Sequence, residues 1–131
     1  MLFLPSRYSI LHNLKGVEDK LQALSHHNIP EHIKHEISSV VEVLREKFAG
    51  NIHKIILFGS YAKHDYQPDS DVDIAVALHT LPPLKERRAY AADFDFEQDI
   101  DLLFCSKEQL DSNVMIYKWI NEQGVVLYEQ L

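Results

Sequence analysis

The sequence predicts an α/β (α+β) domain, a small mixed β-sheet flanked by helices, because helical and extended patterns alternate along most of its length. Three segments carry that expectation. They are the helical spacing of Ile33, Ile37, Val40, Val41, Leu44 and Phe48, the apolar run Ile55-Ile56-Leu57-Phe58, and a second run from Val72 to Leu78. First in chain order come Ile10, Leu14, Val17, Leu21 and Leu24, spaced 4, 3, 4 and 3, which shares one stripe of a helix. Gly16 weakens that helix by about 1 kcal/mol relative to alanine. The stripe is expected to pack on its own domain or to join copies as a homo-oligomer through residues 10–24, although two heptads are short for a coiled coil. Pro30 suits a first helical position, Glu31 a first turn, and Ala49-Gly50-Asn51 a stop, so a helix is predicted over about 31–48. His53 to Phe58 reads as a buried strand ended by Gly59, and Asp71 to Leu78 as a second. After Pro82-Pro83, Leu84 to about Phe96 reads as a charged, mostly exposed helix. Asp99 to Phe104 reads as a third strand. Lys107 to Gln123 is expected as one helix with Leu110, Val114, Tyr117 and Ile120 as its stripe, closed by Gly124. Val125 to Tyr128 makes the last strand. The organisation expected is an N-terminal helical extension over 1–29 and a single α/β domain over 30–131.

Charge narrows the function classes. The chain has 131 residues, 13 Lys+Arg against 20 Asp+Glu, and a formal charge of −7. Proteins that hold nucleic acid by neutralising phosphates carry the opposite balance, so nucleic-acid binding by the isolated chain is disfavoured. No apolar run approaches the ~20 residues of a membrane helix, and the short apolar start before Pro5 does not make a signal peptide. The single cysteine, Cys105, excludes an internal disulfide framework and points to a reducing, cytoplasmic setting. An acidic chain can still hold a nucleotide where its carboxylates recruit divalent cations.

Residues 59–73 carry the chemistry. Gly59 at the end of a strand permits close backbone approach, and Ser60 adds a hydroxyl to the free N–H groups of a helix start, which together make a small cradle for a phosphate. Asp71 and Asp73 stand two apart at the start of a strand, so both carboxylates point to one side. Held that close they repel one another unless a cation lies between them, and magnesium, which combines a few carboxylates with water and substrate phosphates, fits. A third acid comes from Asp99 or Asp101 at the start of the next strand. The two share parity, so spacing does not choose. Asp101 is favoured because the apolar run begins directly after it, as Ile74 follows Asp73. Three acids on neighbouring strands can hold two metal ions for in-line phosphoryl or nucleotidyl transfer.

Gly59-Ser60, ten intervening residues and then Asp71-Val72-Asp73 resembles the signature of the DNA polymerase β-like nucleotidyltransferase superfamily. The surrounding Leu57 to Lys63, Asp65-Tyr66, Pro68, Ser70 to Ile74 and the closing Gly124 to Tyr128 resemble its minimal nucleotidyltransferase branch, over about residues 30–128. His64 departs from the pattern, since relatives often carry glycine there. The resemblance implies the polymerase β-like fold, with Asp71, Asp73 and Asp101 as catalytic residues holding Mg²⁺ in a two-metal site and with ATP as substrate. Gly59, Ser60, Lys63 and Ser70 would hold the nucleotide. It further implies a partner, a HEPN-type toxin encoded nearby that the chain modifies with AMP on a tyrosine, acting as its antitoxin. Two alternatives stay open: a non-catalytic module that masks a partner, and nucleotide addition to an RNA 3′ end.

Other signals are weaker. His32 and His35 share a helix face but no cysteine or carboxylate set converges with them, which disfavours a zinc site. Cys105 reads as a small core residue rather than a nucleophile. Tyr61 and Tyr66 flank the cradle and could stack on a base or pack the core. Trp119 reads as core or partner interface.

Overall fold

In the computed structural model, which describes Leu24, residues 28–92 and residues 99–130, the first helix, α1, runs over Glu31–Lys47. Pro30 precedes it at φ −56°, and its carbonyl accepts hydrogen bonds from the N–H groups of Ile33 and Lys34. The predicted apolar stripe is the buried one: Ile33, Ile37, Val40, Val41 and Leu44 all lie inside. Of the N-terminal stripe only Leu24 is among the described residues, and it is buried in the same cluster. The expected helix and any homo-oligomer contact through residues 10–24 otherwise lie outside them.

Strand β1 (Ile52–Phe58) leads into the short helix α2 (Ser60–Lys63), followed by β2 (Val72–Leu78), α3 (Leu84–Ala92) and β3 (Ile100–Ser106). Then come α4 (Lys107–Leu110), α5 (Met115–Gln123) and β4 (Val125–Glu129). The strands form one sheet in the order β3-β2-β1-β4. β1 runs antiparallel to both β2 and β4, and β2 runs parallel to β3, so the sheet is mixed as expected. Parallel pairing of consecutive strands needs a crossover, which the segment containing α3 supplies.

Period-two alternation divides the core between the two faces of this sheet. Ile55, Leu57, Val72, Ile74, Val76 and Leu78 join α1 on one face, with Tyr61 and Leu127. Ile56, Ala75, Ala77 and Cys105 turn to the other, where Leu110 of α4 and Ile120 of α5 cover them. Asp73 and Asp101 have the parity of this second face. The α1 face is aliphatic and deep; the second is built over small side chains and is thinner. The acids therefore stand at the end of the thinner face, level with Phe58.

Two expectations are corrected. The single helix predicted over 107–123 is two, α4 and α5, separated at residues 111–114. Ser106 caps α4 in a reciprocal pair with Gln109, and the Ser112 hydroxyl donates to the Gln109 carbonyl, drawing the chain out of the helix. The Asn121 amide of α5 then donates to the Leu110 carbonyl at 2.8 Å, which satisfies the open end of α4. β3 also continues past Phe104 to Ser106, because Cys105 and Ser106 keep register with Ala77 and Leu78. Of the helix predicted from Leu84 to about Phe96, residues 84–92 are helical and 93–98 lie outside the described residues.

Candidate active site

Strand register brings two of the expected acids, Asp73 and Asp101, level with each other. Asp73 is the pairing partner of Phe58 on β1 and of Asp101 on β3. Directly paired residues share a face, so the Asp73 and Asp101 side chains stand next to each other, and Asp71 precedes β2 by one residue. Asp99 contributes its backbone instead: its carbonyl accepts from the Val72 N–H at 2.9 Å, closing the first rung between β2 and β3. The two acids that spacing could not separate thus occupy different positions, with Asp101 level with Asp73.

Gly59 closes the same corner. Its backbone, at φ 75° and ψ −154°, lies in a region reserved for glycine. A Cβ placed there would come within 2.1 Å of Asp73 Oδ2, so the lack of a side chain lets the carboxylate lie against the main chain where β1 turns into α2. Helix α2 is held by the Lys63 N–H donating to the Gly59 carbonyl, and by the Asp65 N–H donating to Ser60. His64 ends it in the left-handed conformation at φ 65°. A glycine would take that conformation freely, and histidine meets it at a strain of about 1 kcal/mol.

Burial first, and then the charges of Asp101 and Asp71, push the Asp73 carboxyl from its ordinary 3.8 up to about 6. The unfolded chain releases this proton near 3.8 and the folded chain near 6, so between those values the folded state holds a proton that the unfolded one has lost. The stability this confers is complete below the lower value and gone above the higher. Without metal, the wild type is therefore expected to lose stability relative to Asp73→Asn as pH rises from about 4 to about 6. Urea unfolding with a chelator present measures this; a difference that stays flat with pH would contradict it.

A cation placed among these carboxylates would relieve their repulsion. Among the described residues no three His, Cys, Asp or Glu side chains come together as a group that could hold a metal ion, the expected set of Asp71, Asp73 and Asp101 included.

The remaining sequence candidates fall as follows. Lys63 is exposed, 3.8 Å from Asp65, and lines a cleft of about 180 Å³ with Phe58, Gly59, Ile116, Trp119, Ile120 and Gln123. The Ser70 hydroxyl accepts from the Gln67 N–H at 2.7 Å, which ties it to the turn before Asp71. Tyr61 is buried and stacks on Tyr66 at 4.5 Å between ring centroids, and the Tyr66 hydroxyl donates to the Asn28 carbonyl. Both rings therefore pack the core. His32 and His35 are exposed. The Cys105 thiol is buried and pushed up to about 11 by burial, far from a reactive thiolate. Sequence reasoning missed the tight Gly59–Asp73 approach and the half-exposed position of Trp119 beside the cradle.

Residues 38–130 match the family Polymerase beta, Nucleotidyltransferase, and the chain belongs to that family. A candidate protein adenylyltransferase of Methanocaldococcus jannaschii is 40% identical over 80 residues, 61% of this chain. That match spans 64% of the relative's own length. Among solved structures, the chain is similar to a toxin–antitoxin with AMP-PNP, at a TM-score of 0.55 and 26% identity, covering 70% of this chain and 71% of that one. It also shares the fold of a chain in the complex of the tri-AMPylated Shewanella oneidensis HEPN toxin with MNT antitoxin. There the TM-score is 0.55 and the identity 21%, with 74% and 72% of the two chains covered. Among the described residues no helix is long and apolar enough to cross a membrane.

Proposed function

We propose that this protein transfers AMP from ATP to a hydroxyl of a partner protein, a tyrosine of a HEPN-type toxin, and so acts as its antitoxin. The observation that carries the reading is the alignment of Asp73 with Asp101 and with the Gly59 turn, in a chain of the nucleotidyltransferase family. Relatives and neighbours named for adenylyl transfer and toxin–antitoxin pairing support the acceptor class.

Asp71, Asp73 and Asp101 would hold Mg²⁺, which supplies positive charge for the triphosphate and for the transition state. The chain's own residues account for the rest. Gly59 opens the backbone to the phosphates, the Ser60 hydroxyl and the first amides of α2 donate to their oxygens, and Lys63 adds a charge at the rim. Asp101 is exposed where Asp73 is half-buried, so its carboxylate faces the incoming hydroxyl and takes its proton. The hydroxyl oxygen bonds to the α-phosphorus, the bond from that phosphorus to the β-bridging oxygen breaks, and pyrophosphate leaves with the electron pair.

Incubation with α-labelled ATP, magnesium and the neighbouring-frame HEPN-type protein is expected to label that protein and release pyrophosphate. Absence of label with any divalent cation would defeat the reading. Rescue of cells from the toxin by the Asp71→Asn/Asp73→Asn double variant would instead favour masking without catalysis.

A further inference from the structure

Five large apolar side chains stand exposed among the described residues, and four of them lie between 114 and 119: Val114 at 55%, Met115 at 58%, Ile116 at 38% and Trp119 at 52%. Their helix is fixed on the sheet, since Ile120 is buried in the thinner core. The exposed face is thus a formed surface rather than a frayed end. It is continuous with the cradle, because Ile116 and Trp119 wall the cleft whose opposite side is Gly59 and Lys63. Apolar clusters of this kind on a charged protein mark contact surfaces.

Sheet order decides which part of a nucleotide the cleft adjoins. Asp101 on β3, Asp73 on β2 and Gly59 after β1 follow one another across the sheet, and α5, leading into β4, comes next. With the reacting phosphorus at the acids and the phosphate tail over Gly59 and Ser60, the cleft lies beyond the tail. In-line displacement brings the acceptor hydroxyl from the opposite side. The cleft is therefore not the acceptor's entry. Among the described residues Lys63 is the one cation lining the cleft, and Asp65 stands 3.8 Å from it, so they bring little net positive charge to the tail.

Resting on the function proposed above, we infer that the exposed face of α5 is a second docking point for the acceptor protein. It takes an apolar segment carrying an Arg or Lys, which reaches across the cleft to the phosphate tail. Continuity with the cradle and the charge deficit at its rim select this occupant over a second copy of an acidic chain. Because the docked cation meets the phosphates, ATP and the partner bind cooperatively, and by linkage each tightens the other equally.

Trp119 is the only tryptophan of the chain, so its fluorescence reports on this surface directly. Titration with the HEPN-type protein encoded alongside is expected to blue-shift its emission, and ATP with magnesium is expected to tighten that binding by about tenfold. Calorimetry should show Trp119→Ala and Met115→Asp each weakening the partner by about tenfold or more, with ATP affinity unchanged in Met115→Asp. Partner affinity indifferent to both variants overturns the proposal. So does self-association of the isolated chain in sedimentation that Trp119→Ala abolishes, which assigns the face to a second copy. Trp119 emission already blue and shielded from acrylamide in the isolated chain overturns it too, in favour of the chain's own residues 10–24. Failure of the functional reading looks different: ATP does not bind, yet Trp119→Ala still releases the partner.

Discussion

Asp73→Asn is expected to lower AMP transfer by on the order of a thousandfold or more and, in metal-free solution at neutral pH, to make the protein harder to unfold. The two effects have one origin. Asp73 is paired on one side with Asp101 and has Asp71 two residues before it, and burial raises its carboxyl to about 6. At neutral pH the folded state therefore carries a charge that its surroundings disfavour. Asparagine keeps the shape and removes the charge, which relieves the folded state and deprives a bound cation of a ligand. Asp71→Asn should lower transfer similarly, while Asp99→Asn should lower it less, because Asp99 precedes β3 and it is Asp101 that stands level with Asp73. Transfer assays with α-labelled ATP and urea unfolding with and without magnesium measure both halves. Magnesium should stabilise the wild type and not Asp73→Asn. Equal transfer by the wild type and Asp73→Asn would remove Asp73 from the reaction.

Gly59→Ala is expected to abolish transfer and to cost about 3 kcal/mol of stability. Gly50→Ala, the comparison within the same chain, is expected to cost about 1 kcal/mol and to leave transfer intact. Both glycines have positive φ, 75° and 79°. They differ in what surrounds them. A Cβ at Gly50 meets nothing within 4 Å, whereas one at Gly59 meets the Asp73 carboxylate at 2.1 Å. Strain is common to both substitutions, and the collision belongs to Gly59 alone. Relief by turning Asp73 aside would move the carboxylate that the proposed reaction needs, so stability and activity fall together. Denaturant midpoints and transfer rates for the two variants separate the contributions, and a Gly59→Ala protein that matches Gly50→Ala in both would refute the argument.

Much of this arrangement could be read from local pattern. α1, β1 and β2 follow from helical spacing and β-branched runs. The division of α4 from α5 could not be read. Leu110, Val114, Tyr117 and Ile120 continue one helical stripe, while the hydrogen bond of Ser112 that breaks the helix leaves no trace in the spacing. The level of Asp101 with Asp73 depends on the register of two strands joined by a long crossover. Likewise the approach of Asp73 to Gly59 arises only when β1 and β2 pair. Trp119 has the apolar character of a core residue, and its position beside the cradle is set by where α5 lands on the sheet. Local chemistry is thus visible in sequence to the extent that it repeats along the chain, and becomes visible in structure where distant segments meet.

The row formed by Phe58, Asp73 and Asp101 also determines where this chain can change length. One residue added or removed within β2 exchanges its two faces, carrying Asp73 into the aliphatic layer against α1 and turning Ile74 toward the acids. Substitution within the strand alters one side chain; an insertion reverses them all. The turn through His79 to Pro83, outside the paired segment, carries no such phase. Relatives of this chain should therefore vary in length between β2 and α3 and keep β2 itself constant, a tolerance dictated by parity rather than by stability.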